Sequence, residues 1–332
     1  MIPAVFPATY STLCPIALAA LIAEKHGMAD VQCRLLVRGV GDTYLVTAAN
    51  ARYILRIYRS SHRSLPQIQV EADVLLTLNK ADVPVSHPVA DNAGRVIQAI
   101  PAIEGERYAV LFTYAPGKVV RLFSTVQLQV LGSQMARFHQ VSSAIKLEGS
   151  RWDFNYETTL YQPLKMVKPN FTHLPEDYQW LQETAKRAVR ILDHLSADGF
   201  TSGYCHFDFL PKNFHFDGDA ITFFDFDFMG YGWLMNDIAT FYQHLCLDVY
   251  TGRLTQAAAD EAYAIFLEAY QQVRPLSGQE LKAAPYLSLG FWLFYMGFHT
   301  THDQFFAFTQ PSHLKGIVGY LRQLVAKHWD MA

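Results

Sequence analysis

The pattern of hydrophobic residues changes near residue 115, and this change constrains the fold more than any other feature of the sequence. Residues 35–59 contain three apolar runs, rich in β-branched side chains and separated by turn residues, which predicts three consecutive antiparallel strands. Residues 66–80 have helical spacing, and residues 83–118 are predicted to add two more strands. Beyond that point helical spacing dominates, apart from short strand-like pieces between residues 201 and 230.

This order of elements predicts an α+β protein with two lobes. The N-terminal lobe, residues 1–113, is expected to hold an antiparallel sheet and a helix, and the C-terminal lobe, residues 114–332, to be mainly helical. The joint between them, Ala115-Pro116-Gly117, is short, so the lobes are expected to pack against each other and leave a cleft.

The composition excludes several classes of protein. The chain has 332 residues, of which 17% are charged and 51% hydrophobic, and this excludes a disordered chain. Its 27 Lys and Arg against 30 Asp and Glu give a net charge of −3, which offers no support for a nucleic-acid partner. The cysteines have no close spacing, so free thiols in a reducing compartment are expected; they are Cys14, Cys33, Cys205 and Cys246.

The N-terminal segment is predicted to be a helix of the folded protein and not a signal peptide. It has no basic region, and Pro15 and Gly27 are suited to the start and the end of an amphipathic helix. No window reaches 18 uninterrupted apolar residues, so no membrane span is expected. These features predict a cytoplasmic protein.

The segment from Gly203 to Asp237 carries the residues best suited to chemistry. His206-x-Asp208-x-x-x-x-Asn213 has the spacing of a phosphoryl-transfer loop, in which the Asp accepts the proton of a hydroxyl and the Asn holds magnesium. Asp225 follows twelve residues after Asn213, and a turn between them would bring both oxygen ligands together. Mg²⁺ prefers such oxygen ligands, so a metal and phosphate site is predicted here.

Other residues of this segment allow two further interpretations. A zinc site at His206, Asp208 and His215 is less favoured, because no third close ligand and no water-activating Glu is evident. Asp217 and Asp219 are interpreted as ordinary turn residues.

The chain resembles the aminoglycoside phosphotransferase and choline kinase family, whose fold is that of the protein kinases. The resemblance rests on three features in the family's order: the loop His206–Asn213, the apolar strand ending Phe223-Phe224-Asp225, and Asp237-Ile238-Ala239 at the start of a helix. The order of parts matches over nearly the whole chain. The resemblance implies a kinase with ATP and Mg²⁺ as cofactors, catalytic Asp208 and the metal ligands Asn213 and Asp225.

The resemblance also implies a nucleotide site in the N-terminal lobe. The turn from Gly39 to Tyr44 is similar to the family's phosphate-covering turn, and Arg56 stands where protein kinases carry a Lys, with Glu71 as its ion-pair partner. A surface Arg on an edge strand is the alternative for Arg56. The residues implied to bind the nucleotide are Gly41, Asp42, Thr43, Ile54, Arg56, Glu71, Phe112, Tyr114 and Phe224.

Some features of this segment differ from the family pattern or from that of the protein kinases. Phe207 replaces the usual Gly, and Asp227 gives D-F-D in place of D-F-G, where it could support a second metal or orient the substrate. Lys212 could help the transferring phosphoryl group or simply face solvent. Only nine residues separate Asp227 from Asp237, so the long activation segment of a eukaryotic-type protein kinase is missing.

The acceptor is expected to bind in the C-terminal lobe, near the aromatic segment 286–308. Phe291, Tyr295 and Phe298 fall on one helical face, which is interpreted as core. The opposite phase would line the acceptor pocket and suit a cationic amino alcohol through cation–π contacts. The candidate acceptor residues are Trp233, Trp292, His299 and Asp303.

The leading hypothesis is an ATP- and Mg²⁺-dependent kinase for a hydroxyl of a small metabolite of the amino alcohol, sugar, homoserine or aminoglycoside type. The alternatives are a bacterial stress-type Ser/Thr protein kinase of the same fold and a non-catalytic nucleotide-binding regulator. The expected partner is a small-molecule acceptor, without nucleic acid or membrane, and the protein is expected to be a monomer or homodimer.

Overall fold

The computed structural model describes residues 8–147 and 151–329. Apart from residue 147, the chain divides into one compact unit that ends at residue 116 and a second that comprises residues 117–146 and the part from 151 onward. The boundary lies three residues after the predicted one. That the first unit binds nucleotide and the second binds the acceptor stays a prediction.

The first unit combines an antiparallel sheet with helices, as the sequence pattern predicts. Its helices begin and end at the expected signals: Pro15 opens the first, Gly27 at φ +63° closes it, and Gln67 caps the second by accepting from the backbone N–H of Ser64 at 3.0 Å. Within residues 8–116 the elements are α1 (Pro15–His26), β1 (Gln32–Arg38), β2 (Gly41–Ala48), β3 (Ala51–Tyr58), α2 (Leu65–Lys80), β4 (Ile97–Ala102) and β5 (Gly105–Thr113).

The strands of the first unit pair in the order β1-β2-β3-β5-β4. Because side chains alternate along a strand, the register decides which residues share a face. Helix α1 packs on one face, and the cluster there includes Leu18, Ile22, Tyr44, Val46 and Leu55. The paired residues Thr43 and Arg56 therefore belong to the opposite face.

The second unit is mainly helical, with two small sheets. Within residues 117–146 and 151–329 the elements are α3 (Thr125–Ala144), β6 (Trp152–Phe154), α4 (Gln162–Val167), α5 (Pro175–His194), β7 (Ser202–Cys205), β8 (Phe214–Asp217), β9 (Ala220–Phe223), β10 (Gly230–Trp233), α6 (Met235–Tyr250), α7 (Gln256–Val273), α8 (Gly278–His299) and α9 (Pro311–His328). The α+β class predicted from the sequence is confirmed.

The two small sheets place the predicted catalytic loop. Strand β7 ends at Cys205, directly before the loop 206–213, and it pairs with β10 in the sheet β6-β10-β7. The hairpin β8-β9 begins directly after the loop, and its closing pair joins Phe214 to Phe223. The N–H of Phe224 then donates to the carbonyl of Asn213 at 2.9 Å. The hairpin therefore returns the chain to the loop just before Asp225, as predicted.

None of the helices formed by residues 8–147 and 151–329 is both long enough and apolar enough to cross a membrane.

Candidate active site

The loop 206–213 is anchored through one buried carboxylate, Asp237 in the first turn of α6. Its Oδ2 accepts from the backbone N–H of His206 at 2.9 Å, and its Oδ1 accepts from the N–H of Phe207 at 2.6 Å. Bonds from N–H groups to a carboxylate are stronger than neutral ones, particularly in a buried site. Asp237 therefore holds the loop against α6.

A chain of side chains supports Asp237 from behind. His139 Nε2 lies 3.0 Å from Asp237 Oδ2, and its Nδ1 lies 2.7 Å from the hydroxyl of Tyr270, to which Arg274 donates at 3.1 Å. Burial lowers the pKa of His139 more than Asp237 raises it, so the ring is neutral. The carboxylate only accepts, so Nε2 carries the proton and donates it to Asp237.

Phe207 explains why glycine is usual at this position. Its φ is +65°, in the left-handed region that costs an ordinary side chain free energy. The ring is buried and stacks on Phe154 with a centroid distance of 3.8 Å, and the carbonyl accepts from the hydroxyl of Thr240 at 3.0 Å. Packing and hydrogen bonds therefore hold a backbone shape that glycine would adopt freely.

The carboxylate of Asp208 is buried, and its two oxygen atoms differ in their polar contacts. Its Oδ2 accepts from Asn213 Nδ2 at 2.7 Å and lies 2.9 Å from Lys212 Nζ. Its Oδ1 is buried and has no hydrogen-bond partner among the residues that the structure describes. One oxygen is thus held in place while the other remains available to a bound molecule.

Lys212 belongs to this group although its side chain is 60% exposed. Burial lowers its pKa, but the negative charges of Asp208 and Asp225 outweigh this effect and raise the pKa. The ammonium therefore stays charged beside both carboxylates. Of the two alternatives from the sequence, the contact with Asp208 excludes a side chain that simply faces solvent.

Asn213 and Asp225 both carry oxygen atoms of the kind that bind a divalent cation. Asn213 Nδ2 donates to both the carbonyl and Oδ2 of Asp208, which leaves its Oδ1 for a cation. Asp225 is exposed and adopts φ +62°, directly after the hairpin. An amide oxygen and an exposed carboxylate fit a hard divalent cation that takes its other ligands from phosphates and water.

Asp227 differs from Asp225 because it is fully buried. Its Oδ1 lies 4.0 Å from Arg151 Nη2, and this guanidinium also donates to the carbonyl of Phe226 at 2.9 Å. Arg151 thereby fixes the backbone after Asp225 and compensates the charge of Asp227. The proposed role of Asp227 at a second metal or at the substrate stays a prediction.

The zinc interpretation of this segment is wrong. His206 is buried, and its Nε2 lies 2.9 Å from the carbonyl of Phe224. Among residues 8–147 and 151–329 no group of three or more His, Cys, Asp or Glu side chains could hold a metal ion. His206 instead ties the loop to the residue before Asp225.

Helix α8 contributes a residue that the sequence pattern assigned to the core. The Tyr295 hydroxyl is buried and faces Asp208, with Asp225 and Asp227 also close enough to raise its pKa, after burial as the main cause. The ring is stacked on Phe228, with centroids 5.1 Å apart. The helical stripe predicted to be core therefore also supplies a polar group to the site.

The structure gives the four candidate acceptor residues different surroundings, and their role at the acceptor stays a prediction. The indole N–H of Trp292 donates to Gln243 Oε1 at 2.9 Å, so Trp292 packs α8 against α6. Gly232 occupies the face of β10 that meets Phe154. Since side chains alternate along a strand, Trp233 belongs to the opposite face, where its ring contacts Tyr156. Helix α8 ends at His299, so the exposed Asp303 does not continue its face. His299 is the candidate that remains on α8, one turn after Tyr295.

Most of the residues predicted to bind the nucleotide in the first unit share one sheet face. The register pairs Thr43 with Arg56 and Ile54 with Phe112, and Gly41 has the same parity as Thr43. A Cβ on Gly41 would lie 3.0 Å from the carbonyl oxygen of Ile57 and 3.5 Å from Arg56 Nε. Glycine therefore permits the close approach of the turn to Arg56.

Asp42 is a correction to the sequence prediction. Strand β2 already begins at Gly41, so alternation turns Asp42 to the other face of the sheet, away from Thr43. Its carboxylate is fully buried, accepts from the hydroxyl of Tyr10 and lies 3.5 Å from Arg107 Nη2. Asp42 therefore lies on the α1 side of the sheet, opposite to the face of Thr43 and Arg56.

Three other predicted nucleotide contacts are placed as follows. Glu71 is buried on α2, and its ion pair with Arg56 stays a prediction. Tyr114 follows β5, and the guanidinium of Arg52 lies 4.1 Å from the centre of its ring. Phe224, in the second unit, contacts His215 at a centroid distance of 4.6 Å.

Sequence reasoning missed Arg151 and Tyr295. No motif surrounds Arg151, whose partners are backbone carbonyls 75 and 76 residues further along the chain. For Tyr295 one signal was available: a tyrosine among phenylalanines on an apolar stripe needs a partner for its hydroxyl.

Comparison with known proteins places this chain in a family. The sequence matches the phosphotransferase enzyme family over residues 33–276. A protein of Synechocystis sp., described as uncharacterised, is 31% identical over 98% of this chain and 90% of its own length. Amicoumacin kinase of Bacillus subtilis is 26% identical over 85% of this chain and 84% of its own, and homoserine kinase of Polaromonas naphthalenivorans is 27% identical over 80% and 82%.

Solved structures show the same fold. Amicoumacin kinase in complex with AMP-PNP, Ca²⁺ and Ami superposes with a TM-score of 0.72 at 21% identity, over 94% of this chain and 93% of that one. A microcompartment-associated aminopropanol kinase gives 0.68 at 20% identity, over 94% and 95%. Choline kinase from Cryptosporidium parvum gives 0.63 at 13% identity, over 94% and 96%. With the family match spanning most of the sequence, this chain belongs to the phosphotransferase enzyme family.

Proposed function

We propose that this phosphotransferase is an ATP- and Mg²⁺-dependent kinase that phosphorylates a hydroxyl group of a small amino alcohol. The single observation that carries the proposal is the state of Asp208, whose Oδ2 is held by Asn213 and Lys212 while its buried Oδ1 has no partner among the described residues. A general base needs one oxygen oriented and one free for the proton that it accepts. The amicoumacin, homoserine and aminopropanol kinases among the relatives favour a small acceptor.

In the second unit, Asp208 would orient the acceptor hydroxyl and take its proton as the new oxygen–phosphorus bond forms, while the bond between the γ-phosphorus and the β–γ bridging oxygen breaks and ADP leaves with that bonding pair. Mg²⁺, held by Asn213 Oδ1 and Asp225, with Asp227 as a further ligand, would supply charge neutralisation at the phosphates when bound. Lys212 would stabilise negative charge beside Asp208. Because the transition state is loose, positioning and charge would contribute more to the rate than base strength.

In the first unit, the nucleotide would lie on the sheet face of Thr43, Ile54 and Arg56. Gly41 would let the backbone of the turn approach phosphates, and Arg56 would neutralise their charge bidentately. The backbone of Thr113 is already used, since its N–H donates to His87 and its carbonyl accepts from Ser86. The adenine edge would therefore be bound further along, near Tyr114.

The first experiment measures ADP release from Mg-ATP with pools of hydroxyl compounds: amino alcohols, homoserine, sugars and aminoglycosides. We expect one pool to stimulate release, and Asp208→Asn to lower the stimulated rate at least about 100-fold, because the asparagine keeps the shape of the side chain but cannot take the proton. Splitting the active pool would identify the acceptor.

Asp219→Asn is the matched control, since it makes the same chemical change at an exposed turn residue. It should behave as the wild-type protein. Stimulated release that survives in Asp208→Asn would refute the role of Asp208. Transfer of phosphate to a protein acceptor would favour the protein-kinase alternative, and release without any acceptor response would favour a regulator.

A further inference from the structure

Three buried polar atoms lie close to Asp208 and the end of α8, and none makes a hydrogen bond of ordinary geometry among the described residues, although an interaction with Asp208 adds to burial in raising the pKa of Tyr295. They are Asp208 Oδ1, the Tyr295 hydroxyl and His299 Nδ1. Leaving one such group unsatisfied costs about 1–3 kcal/mol, and most buried polar atoms in folded proteins are paired. Three of them in one region indicate a place where a ligand supplies the missing partners.

The Tyr295 ring is rigidly placed. It is stacked on Phe228 at 5.1 Å and contacts Phe291 at 4.8 Å, and Phe207, the residue before Asp208, packs on Phe294 of the same helix at 4.9 Å. These contacts hold the Tyr295 ring in place, and Asp208 is near enough to its hydroxyl to affect its pKa. Burial, and then the charge of Asp208, raises the pKa of Tyr295 well above its usual value, so the hydroxyl keeps its proton and can donate it in a hydrogen bond.

His299 lies one helical turn further on, with its ring centroid 5.9 Å from that of Tyr295. The His299 ring is also stacked on Phe308, with centroids 4.8 Å apart. Burial, His313 and Lys212 lower its pKa to about 4, so the imidazole is neutral at pH 7. Lys212 connects His299 with Asp208. Its charge contributes to the lowered pKa of His299, and its Nζ lies 2.9 Å from Asp208 Oδ2.

We propose that Tyr295 and His299 form a two-point subsite that selects amino alcohols, an inference that rests on the proposed kinase function. The acceptor hydroxyl would donate to Asp208 Oδ1 and accept from the Tyr295 hydroxyl, which leaves one oxygen lone pair for attack on phosphorus. His299 Nδ1 would accept a hydrogen bond from the acceptor's ammonium group. Because Arg151 compensates Asp227, the carboxylates that act on Lys212 are Asp208 and Asp225, which still outnumber it, so the charge of the protein near the site favours a cation.

The spacing of the two residues sets the length of the acceptor. Four residues of α-helix rise about 6 Å, which a chain of about three or four carbons between oxygen and nitrogen spans. We therefore expect 3-amino-1-propanol and 4-amino-1-butanol to be better acceptors than 2-aminoethanol or 6-amino-1-hexanol. Alcohols without the amino group, such as 1-butanol, should be at least about tenfold poorer in kcat/KM, the loss expected for one charged hydrogen bond.

Substitutions test each point separately. Tyr295→Phe keeps the packed ring and should lower kcat/KM for the amino alcohol at least about tenfold while the KM for Mg-ATP stays unchanged. Tyr263→Phe is the matched control, because its hydroxyl is also buried without a partner among the described residues but lies on α7, where its ring contacts Tyr242. This control should retain wild-type kinetics.

His299→Leu should lower the ratio of kcat/KM for 4-amino-1-butanol to that for 1-butanol. His299→Asn should restore most of that ratio, since its amide occupies about the place of Nδ1. If His299 had only a structural role, its substitution would lower kcat/KM equally for both substrates and leave the ratio unchanged.

The outcomes separate this inference from the proposed function. Wild-type protein that phosphorylates alcohols, with Tyr295→Phe equal to the Tyr263→Phe control or with an unchanged ratio in His299→Leu, overturns the subsite alone. A wild-type protein that prefers hydroxy acids of the same length also overturns it. Wild-type protein that transfers phosphate to no small alcohol overturns the proposed function, and the subsite with it.

Discussion

At the scale of single residues, the active-site segment contains two side chains in the left-handed region, Phe207 at φ +65° and Asp225 at φ +62°. Phe207 directly precedes the predicted catalytic residue Asp208, and Asp225 is itself a predicted metal ligand. Strain of this kind persists where the surrounding structure holds it, and here Asp237 and Phe154 hold Phe207.

Phe207→Gly tests which effect is larger, backbone strain or packing. Glycine would relieve about 1–2 kcal/mol of strain, but loss of the buried ring costs about 3–5 kcal/mol, so we expect the free energy of unfolding to fall by about 1–4 kcal/mol. Urea unfolding measures it. Asp82→Gly is the control, since Asp82 has φ +57° but an exposed side chain and should be neutral or slightly stabilising. Phe207→Gly that stabilises the protein would show that strain dominates.

Single residues were predictable where the chemistry is local. Asp208 and Asn213 are close in sequence, and the structure joins their side chains at 2.7 Å. Tyr295 could not be placed in this way, because 87 residues separate it from Asp208 and the apolar stripe around it is equally typical of core. The hydrogen bonds of Arg151 to backbone carbonyls follow no sequence pattern.

At the scale of elements, helix α3 lies against α7 at Gly132. A Cβ there would come within 2.2 Å of the carbonyl oxygen of Phe266 and 3.0 Å of the N–H nitrogen of Tyr270. The helix that carries His139 can therefore approach α7, where Tyr270 completes the support of Asp237. Glycine, although a poor helix former, is required at this crossing.

Gly132→Ala should destabilise the protein by about 1–3 kcal/mol, because the overpacking exceeds the roughly 1 kcal/mol gained in helix propensity. Gly316→Ala makes the same change on α9, where nothing lies within 4 Å of the new methyl group, and should stabilise by about 0.5–1 kcal/mol. The midpoints of thermal or urea unfolding would report both. Equal shifts in the two variants would contradict the close approach.

Helices with strong boundary signals and the antiparallel hairpins were predictable from the sequence. The exact residue at which a strand or helix begins or ends was not predictable, and this residue decides which face a side chain occupies. Asp42 was interpreted as part of a turn, but β2 begins one residue earlier, and a difference of one residue moves a side chain to the other face of a sheet. Helix α8 ends at His299, which removes Asp303 from its face.

At the scale of the whole molecule, the proposed function predicts that ligands stabilise the chain. AMP-PNP with MgCl₂ at about 100 times its Kd should add about 2.7 kcal/mol to the free energy of unfolding and raise Tm. Asp225→Asn should lose the part of this shift that depends on Mg²⁺, whereas Asp219→Asn should keep it. Differential scanning fluorimetry with and without EDTA measures both, and a Tm of wild-type protein that does not respond to Mg²⁺ would contradict the metal site.

The sequence by itself determined the division into a strand-rich and a helical part, the order of the elements and the spacing of His206, Asp208 and Asn213, because these depend on neighbours within a few residues. Only the tertiary structure decided which sheet face Asp42 occupies, that Arg151 holds the backbone after Asp225, and that the Tyr295 hydroxyl lies near Asp208. These features depend on contacts between distant elements, where the packing of whole side chains, and not local periodicity, determines which atoms meet.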